Sequence, residues 1–403
     1  VKTGGDGPLT GVRILDLTAV VMGPFATQML GDMGADVIKI ESPAGDLARD
    51  IGPRRNDRMG ALFLNLNRNK RSVVLDLKRP EGREAILRLV RDADVMIHSM
   101  RPQAIERLGL GYDAIRAVNP EVVYCAAYGF GQDGPYAARP AFDDVIQGAS
   151  GASAVQAFST GEPRHFPMLF CDKTTGYAAL SAISLALFHK ARTGSGQKID
   201  IPMFETMVHF NLLEHQYGQI FDPPLGDFGH ARVRAPDRRP LGVEDGHVCV
   251  MPYTDAHWRG FFEAVGRPDL AKDPRVADGA SRAAHVEELY ALIADLVQDK
   301  SRDALLDALV AADVPCAPVN TLPDLFEDPH LASVNFFQPV DHPTEGRMRV
   351  ASNPMGFSET PAAIRRPAPR LGEHSVEVLQ EAGFDDQEIG SLLKAGAAMN
   401  GNA

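Results

Sequence analysis

Cysteine is scarce: four in 403 residues, at positions 125, 171, 249 and 316, none forming a C-x-x-C pair. That spacing argues against a disulfide framework or a cysteine zinc site, and free thiols suit a reducing, cytoplasmic setting. Basic charge is scarce too. The chain carries 41 Lys and Arg against 53 Asp and Glu, a net charge of −12, so it lacks the basic face that sequence-independent nucleic-acid binding requires. Long apolar runs are missing: the longest charge-free one, residues 177–188, has about 12 residues where a bilayer span needs about 20. Residues 1–7 hold no apolar stretch of the secretory kind. A soluble protein with neither membrane nor nucleic acid as partner is expected. There is no G-x-S-x-G elbow, H-E-x-x-H pair or internal repeat, which removes support for serine-hydrolase and metal-dependent chemistry.

What is present is alternation. At 403 residues the chain exceeds the size at which one core usually stops growing, so two domains are expected. Strands at 12–17 and 36–41 flank a helix that Pro24 opens and Gly34 stops, a β-α-β unit and hence a parallel pair. Further strands read at 72–77, 95–98, 122–127 and 198–201, with helices at 81–93, 177–190 and 204–220. The pattern breaks over 221–240, rich in Pro, Gly, Arg and Asp. A strand at 247–251 and amphipathic helices near 256–265, 283–297 and 301–311 follow. The fold class is therefore α/β. Residues 1–225 and 331–403 should form a large Rossmann-like parallel-sheet domain built from both chain ends, with 226–330 a smaller inserted α+β domain.

Several motifs could carry chemistry. Residues 129–134 match G-x-G-x-x-G after a strand, but Pro135 follows at once and the acidic pair Asp143-Asp144 comes too early for a dinucleotide site. A loop in which Gly129 and Gly131 admit a ligand close to the backbone fits better. Cys171, beside an apolar run, reads as a buried inert thiol. The cluster Arg68-Asn69-Lys70-Arg71 reads either as a charged strand edge or, with Arg101 and Arg107, as an anion pocket. Asp172 stands before a long apolar helix and is either a capping residue or a nucleophile. Helix amides and Lys173 would both favour its ionised form, and that physics leaves the two readings open.

Taken in order, several segments resemble the class III CoA-transferases, the formyl-CoA and carnitine CoA-transferase family that includes α-methylacyl-CoA racemases. They are 9–17 (LTGVRILDL), 30–41 (LGDMGADVIKIE), 69–72 (NKRS), 75–78 (LDLK), 129–135 (GFGQDGP), 193–197 (TGSGQ) and 371–374 (LGEH). The resemblance covers nearly the whole chain. It implies an interlocked homodimer that binds no permanent cofactor and uses coenzyme A and acyl-CoA as substrates.

By the same resemblance Asp172 is the catalytic nucleophile, passing through an aspartyl-CoA thioester. CoA contacts would come from Val21 and Met22 by backbone, Leu75 to Lys78, Ser99, Met100, Arg101 and Arg107, with Lys70 and Arg71 suited to the phosphates. Racemases of the family pair the equivalent Asp with a His thirty residues upstream. Here that position is Phe142, which carries no proton. The formyl-CoA enzymes have Gln, Arg and Lys where this chain has Val21, Ser42 and Pro140, and a tetraglycine loop that it lacks. Arg232 and Arg234 are candidates for the distal carboxylate of a dicarboxylic acyl group such as succinyl, against a solvated basic linker. The expected activity is transfer of CoA from an acyl-CoA to a carboxylic acid. The alternatives are an acyl-CoA racemase or isomerase and a non-catalytic CoA-binding protein.

Overall fold

Successive residues of a strand point to opposite faces, so a strand buried on both faces reads as a continuous apolar run. In the computed structural model, which describes residues 7–235 and 237–401, six strands form one parallel sheet, the first five buried along their whole length and the sixth a largely exposed edge. They are β1 (Arg13–Leu17), β2 (Asp36–Glu41), β3 (Lys70–Leu75), β4 (Val95–His98), β5 (Val123–Tyr128) and β6 (Lys198–Pro202), in the order β3-β2-β1-β4-β5-β6. A short strand, Ala398–Met399, adds antiparallel to the outer edge of β3. The N-terminal residues 1–6, part of the stretch read above for a secretory signal, lie outside the described residues.

The two faces have separate cores. Leu15, Leu17, Ile38, Ile40, Val73 and Tyr124 pack with Ile86, Leu89, Leu379 and Leu392 on one side. Ile14, Val37, Val95, Ile97 and Val123 pack on the other with Leu30 of α1 (Met22–Asp32) and Ile183 of a 24-residue helix, Phe170–Thr193.

The chain divides into two compact units. The first comprises residues 1–150, 167–207 and 332–403; the second comprises 151–166 and 208–331. The sequence reading placed the inserted segment at 226–330. In the structure the division falls within the helix Met203–His215, where no change of composition marks it. In the second unit a three-stranded antiparallel sheet (Leu241–Val243, Gly246–Val250, Cys316–Pro318) shares a core of Trp258, Phe261, Phe262, Leu289, Ile293 and Leu309 with helices Asp255–Ala264, Val286–Val297 and Arg302–Ala311. Among the described residues no helix is long and apolar enough to cross a membrane.

Candidate active site

In an open sheet of this order ligands collect outside the carboxyl ends of the strands, where the strand order reverses between β1 and β4. Val21 and Met22, both buried, lie just past β1 at the start of α1. Ser99 and Met100, half-buried, and exposed Arg101 follow β4 directly. Leu75 ends β3, with Lys78 exposed three residues on. Arg107 is exposed at the close of the helix Pro102–Arg107, its Nε donating to the Gln103 carbonyl at 3.2 Å.

Lys70 and Arg71 depart from expectation. The sequence reading assigned them to phosphate, yet both lie buried inside β3 with every donor engaged. Lys70 Nζ donates to Asp16 Oδ2 at 3.0 Å, the Pro24 carbonyl at 2.9 Å and Asn67 Oδ1 at 2.9 Å. The Arg71 guanidinium donates to Asp36, Glu377 and Glu381 at 2.7–3.0 Å through all three of its nitrogens. Neither leaves a proton for a phosphate oxygen. Burial pushes Lys70 down to about 8. Burial alone would raise Asp16, but the ammonium groups of Lys70 and Lys39 outweigh it and hold that carboxyl well below the usual range.

Asp172 is not a cap. The helix begins at Phe170, its N-cap is Leu169 with no side-chain capping bond, and Asp172 is the third helical residue. Gly176, expected to precede the helix, lies nearly two turns inside it, at a point where α1 passes too close for any side chain. A methyl there would sit 2.8 Å from the Met22 carbonyl oxygen and 2.8 Å from the Phe25 ring. The orphan Asp172 amide is instead satisfied by Asp143, whose Oδ1 accepts it at 2.9 Å. Asp143 is buried at the first position of helix Asp143–Ala149, and its Oδ2 accepts from Gln147 Nε2 at 2.6 Å.

Among the described residues no hydrogen bond or ion pair reaches the Asp172 carboxylate itself. Burial, and next the like charge of Asp143, push its pKa up from 3.8 to about 7. This reverses the sequence expectation, in which helix amides and Lys173 kept it low. Cys171 next door is pushed up to about 12 by burial and by Asp143, Asp172 and Asp144, so it stays a thiol at neutral pH.

The glycine loop is partly occupied. Gly131 N–H donates to the Glu205 carboxylate at 3.0 Å and 3.1 Å, so that amide is not free for an oxyanion. Gly129, half-buried after β5, accepts from the Phe204 amide at 3.0 Å. Phe142 is 67% exposed at the N-cap of Asp143–Ala149. In the second unit Arg232 lies half-buried, its Nη1 3.8 Å from Met251 Sδ, whereas Arg234 donates to the Phe228 carbonyl at 3.0 Å and lies over the Phe158 ring.

Asp143, Gln147 and Glu205 were missed as parts of the site. Asp143 was noticed only for its spacing from the glycines; the useful signal would have been an acid and an amide at i and i+4 opening a helix.

Fold and site first define a class: a doubly wound α/β protein presenting a helix-borne carboxylate near the ligand edge of its sheet. Residues 9–375 match the model of CoA-transferase family III, and the chain belongs to that family. It is a CoA-transferase, an enzyme that exchanges CoA between acyl-CoA thioesters and carboxylic acids. It is 36% identical over 391 residues to a succinyl-CoA:mesaconate CoA-transferase of Haloarcula marismortui, covering 94% of this chain and 97% of that one. It is 34% identical to a succinate–glutarate CoA-transferase of Agrobacterium fabrum, covering 93% and 95%. A CAIB/BAIF family protein from Brucella suis has the same fold, with a TM-score of 0.79 and 33% identity over 94% of this chain and all of that one.

Proposed function

We propose that Asp172 is the nucleophile of this transferase and that the acyl groups exchanged are short and dicarboxylic. The observation carrying the first half is a partly accessible carboxylate without a partner, on a backbone pinned through Asp143. An ionised Asp172 oxygen attacks the thioester carbonyl, the C–S bond breaks, and an acyl-aspartyl anhydride and CoA thiolate form. The thiolate attacks the aspartyl carbonyl, expelling the first acid as its carboxylate and leaving an aspartyl-CoA thioester. The incoming carboxylate attacks that thioester and expels the thiolate. The thiolate then takes the new acyl carbonyl and frees Asp172. Three covalent intermediates, an anhydride, the thioester and a second anhydride formed with the incoming acid, divide one difficult exchange into easier steps. Thioester energy is kept throughout, and no proton is transferred.

The dicarboxylic half rests on the names of the two relatives at 34–36% identity. CoA would lie along the carboxyl edge of the sheet, against the backbone at Val21 and Met22 and beside Leu75, Lys78, Ser99, Met100, Arg101 and Arg107. Racemisation is disfavoured by Phe142, which has no proton to exchange at the α-carbon. A homodimer would cover the exposed Leu185 and Phe188 on the helix Phe170–Thr193 and the exposed Leu213 on Met203–His215, and a cytoplasmic location is part of the same reading.

The test is to quench the enzyme during turnover of succinyl-CoA and map its peptides by mass. A CoA adduct on the peptide holding Asp172 is expected; an adduct elsewhere, or exchange without one, overturns the assignment.

A further inference from the structure

The second unit contains a cavity of about 380 Å³, at the lower end of the roughly 300–1,000 Å³ range of small-molecule sites. Its walls are largely apolar and aromatic, with Trp258, Leu289 and Ile293 beside Tyr253 and Tyr290, and among the described residues no acidic side chain lines it. Two guanidinium groups do. Arg282 is committed: Asp255 lies 2.7 Å from its Nη1, which also donates to the Val276 carbonyl at 3.0 Å.

Arg232 is not. Among the described residues it has no carboxylate partner; it meets the Met251 sulfur at 3.8 Å, and its guanidinium carbon lies 5.8 Å from the Tyr253 ring centre. A half-buried cation against apolar walls has lost hydration without gaining a counter-charge, a debt that a bound anion would settle. His230, on the same wall, carries a buried Nδ1 without a hydrogen-bond partner. Arg234 lines a different cavity and is held by the Phe228 carbonyl.

We propose that this cavity is a carboxylate pocket. Arg232 binds the free carboxylate of a short dicarboxylic acid or acyl group through its planar donor fork, and the aromatic walls take the carbon chain. The proposal rests on the reading above that the protein exchanges CoA between dicarboxylic acids. It separates two arginines that the sequence left equivalent, giving recognition to Arg232 and a structural role to Arg234.

Calorimetric titration of the whole protein, without CoA, by succinate, glutarate and butyrate tests the pocket directly. The two diacids should bind at least about 10-fold more tightly than butyrate, a difference of about 1.4 kcal/mol. Arg232→Ala should abolish that preference, Arg232→Lys should retain part of it, and Arg234→Ala should keep it. In turnover, Arg232→Ala should raise KM for diacids while leaving kcat within a few-fold. Absence of diacid binding to the wild-type protein, an unchanged preference in Arg232→Ala, or its loss in Arg234→Ala alone overturns the pocket. Because the titration contains no CoA, those results leave the transferase chemistry standing. Diacid binding without acyl exchange would sink the functional reading and support the pocket.

Discussion

Asp16 and Asp172 are both aspartates removed largely from water in the same unit, and their surroundings drive them in opposite directions. Asp16 sits at the end of β1, where Lys70, Thr18 and Thr27 engage both its oxygens and, with the nearby charge of Lys39, hold it ionised. Asp172 has burial and a neighbouring carboxylate instead, and its pKa rises to about 7. One is a structural anion saturated by donors; the other is left unsatisfied and poised near neutrality. A pair of like groups pushed apart in this way is the pattern expected where one serves the scaffold and the other the proposed chemistry.

Substitutions can break this contrast. The largest effect is expected for Asp172→Ala, which should reduce CoA exchange on the order of 10³-fold or more, in line with the loss of other nucleophiles, while leaving the fold intact by circular dichroism. Exchange at wild-type rates, followed by mass spectrometry, would remove Asp172 from the mechanism. Next comes Lys70→Met, which removes the ammonium bonded to the buried Asp16 carboxylate and should cost about 3–5 kcal/mol in urea unfolding. A cost below about 1 kcal/mol would show that the pair is not the scaffold described here.

Asp172→Asn should act with the opposite sign. A carboxyl raised from 3.8 to about 7 favours the folded chain while protonated, a contribution complete below about pH 4 and lost as the pH climbs through 7. The Asn variant should therefore gain stability over the wild type as the pH rises from 5 to 8. Its ceiling is on the order of 4 kcal/mol, at about 1.4 kcal/mol per pKa unit. A melting-temperature difference independent of pH would contradict this. The smallest effect is expected for Asp143→Asn, which removes the like charge but keeps an oxygen for the Asp172 amide. The acid limb of kcat/KM, set near 7 by Asp172, should move down by about one unit, measurable in a pH–rate profile.

Much of the first unit was legible because a doubly wound sheet repeats one local pattern, an apolar run, a turn and a helix. The strands 36–41 and 95–98 were read at their observed bounds. β3 was read two residues late because Lys70 and Arg71 look like loop residues; their partners lie as far as 310 residues along the chain, beyond any local signal. The helix Phe170–Thr193 was read as starting seven residues late because Gly176 resembles a boundary until its neighbour on α1 is known. The electrostatics of Asp172 failed for a similar reason. Helix amides and Lys173 are local and visible, whereas burial and Asp143, 29 residues upstream, are products of the fold.

Gly176 ties two proposed parts of the machinery together. One turn upstream of it is Asp172, and against it lies the carbonyl of Met22, whose backbone is proposed to meet CoA. The distance from the proposed nucleophile to the proposed CoA-binding backbone is thus set by a missing carbon atom. Lengthening that one residue would act as a shim, prising the reacting groups apart without removing any of them.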